Sequence, residues 1–203
     1  LQWDVARQTA MMTALSGNST EPNVDPAARV GIERLVPIAD LHVRNHTGLD
    51  TAPAGKEPNV VVVNRSMWVH HTLESYKPLF NELATSLSGS PTITTDALDL
   101  NQDDPMMNMM ASLNKMMAPA MMGMSVGTMV GQLALKSFGQ YDLPLPREPR
   151  DQMLIVASNV DEFAHDWSIP VDDMRMWVLI HELTSHAVLT SPHIRTAVSN
   201  AIS

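Results

Sequence analysis

The sequence predicts a mainly α domain with a few short strands, of the α+β class. Three observations predict it. Residues 24–48 carry Val30, Ile32, Leu35, Ile38 and Leu41 at helical spacing. Residues 174 to about 189 read as one helix, with Pro170, Asp172 and Asp173 at its start, where the helix dipole favours acidic side chains. Only two stretches, residues 60–63 and 153–157, read as strands. A chain of 203 residues, 44% hydrophobic and 17% charged, has the length and composition of one globular domain. The expected organisation is a single domain over 1–203, with an N-terminal helical part at 1–88 and a core at 106–203. A start at Leu1 and an end inside a helical stretch predict a piece of a longer protein, and no basic-then-apolar leader opens it.

Each element follows from local chemistry. "WDVARQTAMMTAL" reads as a short helix stopped at Gly17. Asp25-Pro26 marks the start of the second helix, where Asp caps and Pro fits the first turn, and Pro37 should kink it. "TGLDTAPAGKEPN" is a loop. The valines at 60–63 make a short strand, followed by a helix with Trp68, Leu73 and Tyr76 that restarts near Pro78. Residues 88–105 are polar and read as a loop. Gly139 should end the following helix, and "LPLPREP" is an extended connector. "MLIVA" is the strongest strand, after which Ser158 or Asn159 should cap a short helix. Thr190 or Ser191 caps the last one, with Pro192 in its first turn.

Residues 106–138 are unusual. Nine of the 16 methionines lie between Met106 and Met124, and residues 116–135 carry no charge between Lys115 and Lys136. The length permits a membrane span. Gly123, Gly127 and Gly131 form a small-residue series that lets two helices approach closely. Pro119, Ser125, Thr128 and Gln132 interrupt the apolar character, and the expectation is a fully buried central helix whose glycines face a packed neighbour. A membrane-associated interaction protein built on residues 116–135 is the rival.

A net charge of −9 without any basic run argues against nucleic-acid binding. The chain has no cysteine, so a metal can be held only by His, Asp or Glu. Absence of cysteine fits a reducing compartment, and the expected location is cytoplasmic.

The chemistry concentrates in "WVLIHELTSHAVL", residues 177–189. In a zinc hydrolase, two histidines four residues apart on one helix stand about 40° apart and converge on one ion. A Glu directly after the first takes the proton of the metal-bound water. Here His181 and Glu182 are in place, position 185 is Ser, and the next histidine is His186. Five residues separate the two imidazoles by about 140° on a regular helix, so convergence on zinc requires a π-bulge between them. Ordinary helix residues remain the competing reading.

The ordered pieces "VGTMVGQLALKSFGQYDLPLP", "MLIVASNV", "DEFAHDW", "DDMRMWVLIHELTSHAVL" and "SPHIR" resemble the zincin-like metallopeptidase type 2 family, found largely in actinobacteria and related bacteria. Some members carry a label of association with deazaflavin-coenzyme biosynthesis. The resemblance covers about residues 106–198 well and the N-terminal half weakly. It implies a zincin-like metalloprotease fold and zinc-dependent hydrolysis, with peptides or proteins as substrate. His181 matches the first metal ligand and Glu182 the general base. The second ligand belongs at Ser185, and His186 is its neighbour, so the metal ligands expected here are His181 and His186 in a His-Glu-x-x-x-His helix. The family's third ligand is a Glu in a later glutamate-glycine-x-alanine stretch, which does not occur before Ser203. A catalytically inactive relative that has lost the second ligand is the alternative.

Other titratable residues read as structural. Tyr141 and Asp142 belong to a connector that locks a helix to the sheet. His193 is a weak candidate for a third ligand across a helix break. His70-His71 lacks a carboxylate at ligand spacing. Asp161, Glu162, Asp166, Asp172 and Asp173 lack the Gly-containing pattern of a calcium loop.

Overall fold

The computed structural model describes residues 1–18, 20–53, 56–89, 105–142 and 152–202. In chain order these form α1 (Trp3–Ala14), α2 (Pro26–Thr47), β1 (Asn59–Val63), α3 (Arg65–Gly89), α4 (Pro105–Ala134), β2 (Gln152–Val156), α5 (Ala157–Asp166), α6 (Val171–Thr190) and α7 (Pro192–Ile202). The fold is mainly α with a small sheet, as expected. The polar loop expected at 88–105, apart from its ends, and the "LPLPREP" connector lie outside the described residues.

The strands pair in parallel, from Asn59 opposite Gln152 to Val63 opposite Val156. Four consecutive residues of β2 are buried, as expected where helices cover both faces of a parallel pair. The other edge of β2 takes an antiparallel bridge, Gly139 to Ile155, and the Val156 N–H donates to the Phe138 carbonyl at 2.8 Å.

Alternation along β2 divides the interior in two. Met153 and Ile155 face one cluster, with Ile32, Val36, Ala39 and Val43 of α2, Val160 and Ala164 of α5, and Val178, Leu179 and Leu183 of α6. Leu154 and Val156 face the other, with Ala10 and Ala14 of α1, Trp68, Val69 and Leu73 of α3, and Val130 and Ala134 of α4.

Asp25 caps α2 as expected, accepting the Ala27 N–H at 2.9 Å, with Pro26 at the first helical position. The buried face of α2 needs correction. Val30, Ile38 and Leu41 are 63%, 47% and 58% exposed, and the core side is Ala28, Ile32, Leu35, Val36, Ala39 and Val43. At 100° per residue, Val30 and Leu41 fall on the side away from Ile32 and Leu35, and Ile38 sits at the edge of the core face, about 60° from Leu35. Helix α2 runs through Pro37, and α3 through Pro78, without the expected restart there.

Helix α5 begins directly after β2, with Val156 as its cap in place of Ser158 or Asn159. Asn159 has a different task. Its amide donates to the carbonyls of Ala134 (2.9 Å) and Ser137 (2.7 Å), and its oxygen accepts from Arg65 Nε at 2.6 Å. It thereby satisfies backbone acceptors that the end of α4 leaves open.

The three glycines of α4 face α1. A Cβ on Gly123 would stand 2.6 Å from the Gln2 carbonyl oxygen, one on Gly127 2.8 Å from Thr9 Cβ, and one on Gly131 2.5 Å from Thr13 Cβ. Ala6, Ala10 and Ala14 of α1 are buried. Full burial of the methionine-rich helix is overturned. Met116, Met117, Met121 and Met124 are 70%, 56%, 56% and 52% exposed, because the packed side of α4 is the glycine side. Among the described residues, no helix is long and apolar enough to cross a membrane.

Candidate active site

Helix α6 is anchored on its apolar side by Val178, Leu179 and Leu183, which leaves the polar residues of the motif on two different sides. Trp177 and His181, four residues apart, share the outer side. Their rings stack at 5.6 Å and 14°, and the His181 side chain is 42% exposed. Glu182 and His186, also four apart, share the inner side and are buried.

What faces the inner side is the short segment that follows α4. The Glu182 carboxylate accepts the Gln140 N–H at 2.8 Å and the Tyr141 N–H at 3.0 Å on Oε2, with a longer 3.3 Å contact from Tyr141 to Oε1. Oε1 also lies 3.4 Å from His181 Nδ1. The Tyr141 hydroxyl is hydrogen-bonded to His186 Nδ1 at 2.7 Å, the rings meeting edge to face. This segment is fixed independently of Glu182. Asp142 Oδ2 accepts the N–H groups of Phe138 (2.5 Å) and Gly139 (3.1 Å), a side-chain turn that the sequence "FGQYD" permits. The Trp68 indole donates to the Gly139 carbonyl at 2.7 Å. Gly139 is required here by space, since a Cβ would stand 2.7 Å from Glu182 Cγ.

The electrostatics follow from burial. The hydrogen bond to Glu182 raises the His181 imidazole above its ordinary value, helped by the charges of Glu182 and Asp142 and opposed by partial burial. Burial raises Glu182 itself, while the hydrogen bonds from His181, Tyr141 and Gln140 pull it back. The pair can share a proton, but the carboxylate has no face open to solvent.

The structure brings His181 together with Glu182, and His186 together with Tyr141. Helix α6 is α-helical throughout 181–186, without the π-bulge that a shared zinc would need. The two imidazoles therefore leave the axis about 140° apart. Among the described residues, no group of three or more His, Asp or Glu side chains is placed to hold a metal ion. His193 is exposed at the start of α7. A catalytic zinc requires three protein ligands and a water position. The donors among the described residues do not fit one, because Ser185 occupies the position that shares a side with His181, and the Glu182 oxygens are engaged by backbone.

Tyr141 is the site residue that sequence reasoning assigned to a connector. It does join a helix to the sheet segment, but through His186. The available signal was the spacing of Glu182 and His186, which places both on one helix side. Asp161, expected to be solvated, is held by Arg175 through two hydrogen bonds of 2.8 and 2.6 Å, tying α5 to α6.

This architecture is shared with a crystal structure from Chloroflexus aurantiacus, described provisionally as a hydrolase with a novel fold. The two align with a TM-score of 0.67 at 19% identity over 100% of this chain, which spans 57% of the other's length. No curated protein matches the chain. A helix carrying His181-Glu182 beside a parallel strand pair is thus set in a fold seen before. The family model for zincin-like metallopeptidases matches residues 1–202, well beyond the C-terminal half where the sequence resemblance was strongest, and the chain belongs to that family.

Proposed function

We propose that this chain is a zincin-like domain in which the motif helix has changed from a metal-holding element to a structural one. One observation carries this reading: both buried oxygens of Glu182 face the backbone N–H groups of residues 140 and 141. A general base must present its carboxylate to a water in the cleft. This one instead fastens the segment after α4 to α6. Family membership does not oppose the reading, since fold and activity separate readily when a ligand is lost.

Hydrolysis of peptide bonds with zinc is the second reading. Family membership favours it, and so does the coverage of 57% of the solved relative, which leaves room in a longer protein for a Glu ligand from a later helix. It requires Glu182 to leave its backbone partners.

Zinc content and hydrolysis of a mixed peptide library, compared across the parent, Ser185→His and Glu182→Gln, separate the two. The structural reading expects no peptidase activity in the parent and a gain of zinc affinity in Ser185→His, because residues 181 and 185 share the outer side of α6. Parent hydrolysis that vanishes in Glu182→Gln at unchanged stability would overturn it.

A further inference from the structure

The histidine pair that α6 lacks is present on α2. His42 and His46 stand four residues apart on a regular, exposed stretch of that helix, with ring centroids 6.0 Å apart and planes inclined by 33°. His46 Nδ1 lies 2.9 Å from the His42 carbonyl oxygen. A carbonyl can only accept, so Nδ1 carries the proton and Nε2 is left with its lone pair. This is the arrangement by which histidine ligands are commonly oriented, one ring nitrogen held by a backbone acceptor and the other free for the metal. The cation between them, Arg44, is drawn to Asp40 at 2.9 Å, along the helix rather than across the histidine pair.

From this geometry we infer that His42 and His46 form a two-imidazole chelate for a divalent transition metal, with water completing the coordination. Imidazole suits Cu2+, Ni2+ and Zn2+, and among these the affinity should be greatest for Cu2+. Both rings must be neutral to bind, so the metal competes with protons. The site is independent of α6 and of the reading proposed for Glu182. It also has a direct practical consequence. Zinc or nickel found on the purified protein does not by itself report on His181 and His186.

The test is titration of the full chain with Cu2+ and, separately, Zn2+ in a weakly coordinating buffer. The parent is compared with His42→Asn, His46→Asn and the double variant His181→Asn/His186→Asn. The expected result is one equivalent bound by the parent, at least about a tenfold loss of affinity in either α2 variant, and parent-like binding in the α6 variant. A metal-induced rise in melting temperature, present in the parent and absent in His42→Asn, gives a second readout; the replaced residues are exposed, so both variants should keep the parental helix content. Retention of the parental affinity in both α2 variants would overturn the assignment, as would abolition of binding in the α6 double variant alone at parental helix content.

Discussion

Removing the Glu182 side chain distinguishes a strut from a base. Glu182→Ala deletes the acceptor for two buried N–H groups, those of Gln140 and Tyr141. Each buried donor left without a partner costs about 1–3 kcal/mol, and the vacated space adds to that. Burial already opposes the charge on this carboxyl, and relief of that opposition offsets part of the loss. The net expectation is a destabilisation of about 2–4 kcal/mol. Glu182→Gln keeps the volume and one acceptor oxygen, and should cost about half as much. Urea unfolding followed by far-ultraviolet circular dichroism measures both. A stability change appears as a lower midpoint at unchanged slope. Residues retained for catalysis behave in the opposite way, because their replacement by inert side chains is frequently neutral or stabilising. An Ala variant as stable as the parent, or more stable, would refute the strut.

Gly127→Ala should destabilise by about 1–3 kcal/mol in the same assay, since its Cβ would be driven into α1 at Thr9 and the Ala6 carbonyl; an unchanged midpoint would mean that α1 and α4 are farther apart than described. Asn159→Leu should cost at least about 2 kcal/mol by orphaning two carbonyls and Arg65 Nε, and a neutral result would show that water replaces the amide. The His181 imidazole is raised when folded, so the stability that it contributes is complete below its unfolded value of 6.5 and is lost as pH rises through the folded value. Burial raises Glu182 too, which adds a loss of the same sign from about pH 4.5 upward. Melting temperature against pH should therefore fall more steeply above pH 6.5 in the parent than in His181→Asn, and parallel profiles would contradict the coupling.

What the sequence made legible was what is locally determined. Asp25-Pro26, Pro170 with its acidic first turn, and Pro192 marked helix starts because capping and proline geometry act within one turn. The valines of β1 and "MLIVA" marked strands because short apolar, β-branched runs suit a covered strand, buried almost throughout in β2 and at Val62 and Val63 in β1. The glycines at 123, 127 and 131 announced a close helix neighbour for the same reason, since only absent side chains permit that approach. The misread features depend on what lies across the fold. Nothing near Asn159 in sequence shows that the carbonyls of Ala134 and Ser137 are aimed at it. The exposure of Met116, Met117, Met121 and Met124 follows from α4 having its partner on the glycine side. At the motif, His181 and Glu182 are legible as neighbours in sequence, but the occupation of Glu182 by Gln140 and Tyr141 is a contact between segments about 40 residues apart. Helical angles alone pair Glu182 with His186, which stand four residues apart on one side of α6.

The parallel pairing of β1 with β2 also bears on how the chain reaches this state. Residues in register are roughly 90 positions apart, with α3 and α4 in the connection, so closing that loop costs chain entropy before any ladder hydrogen bond repays it. Among the described residues, neither strand pairs with a neighbouring strand in a hairpin, and the Gly139–Ile155 bridge on the other edge of β2 is a single pairing. The helices on either side can form early from local contacts, while the β1–β2 ladder waits for both clusters to assemble around it. Contacts of such long sequence separation slow folding. Once formed, the ladder lies at the boundary of the two clusters and should open only when the whole domain does, so its amides should be among the last to exchange with solvent deuterium.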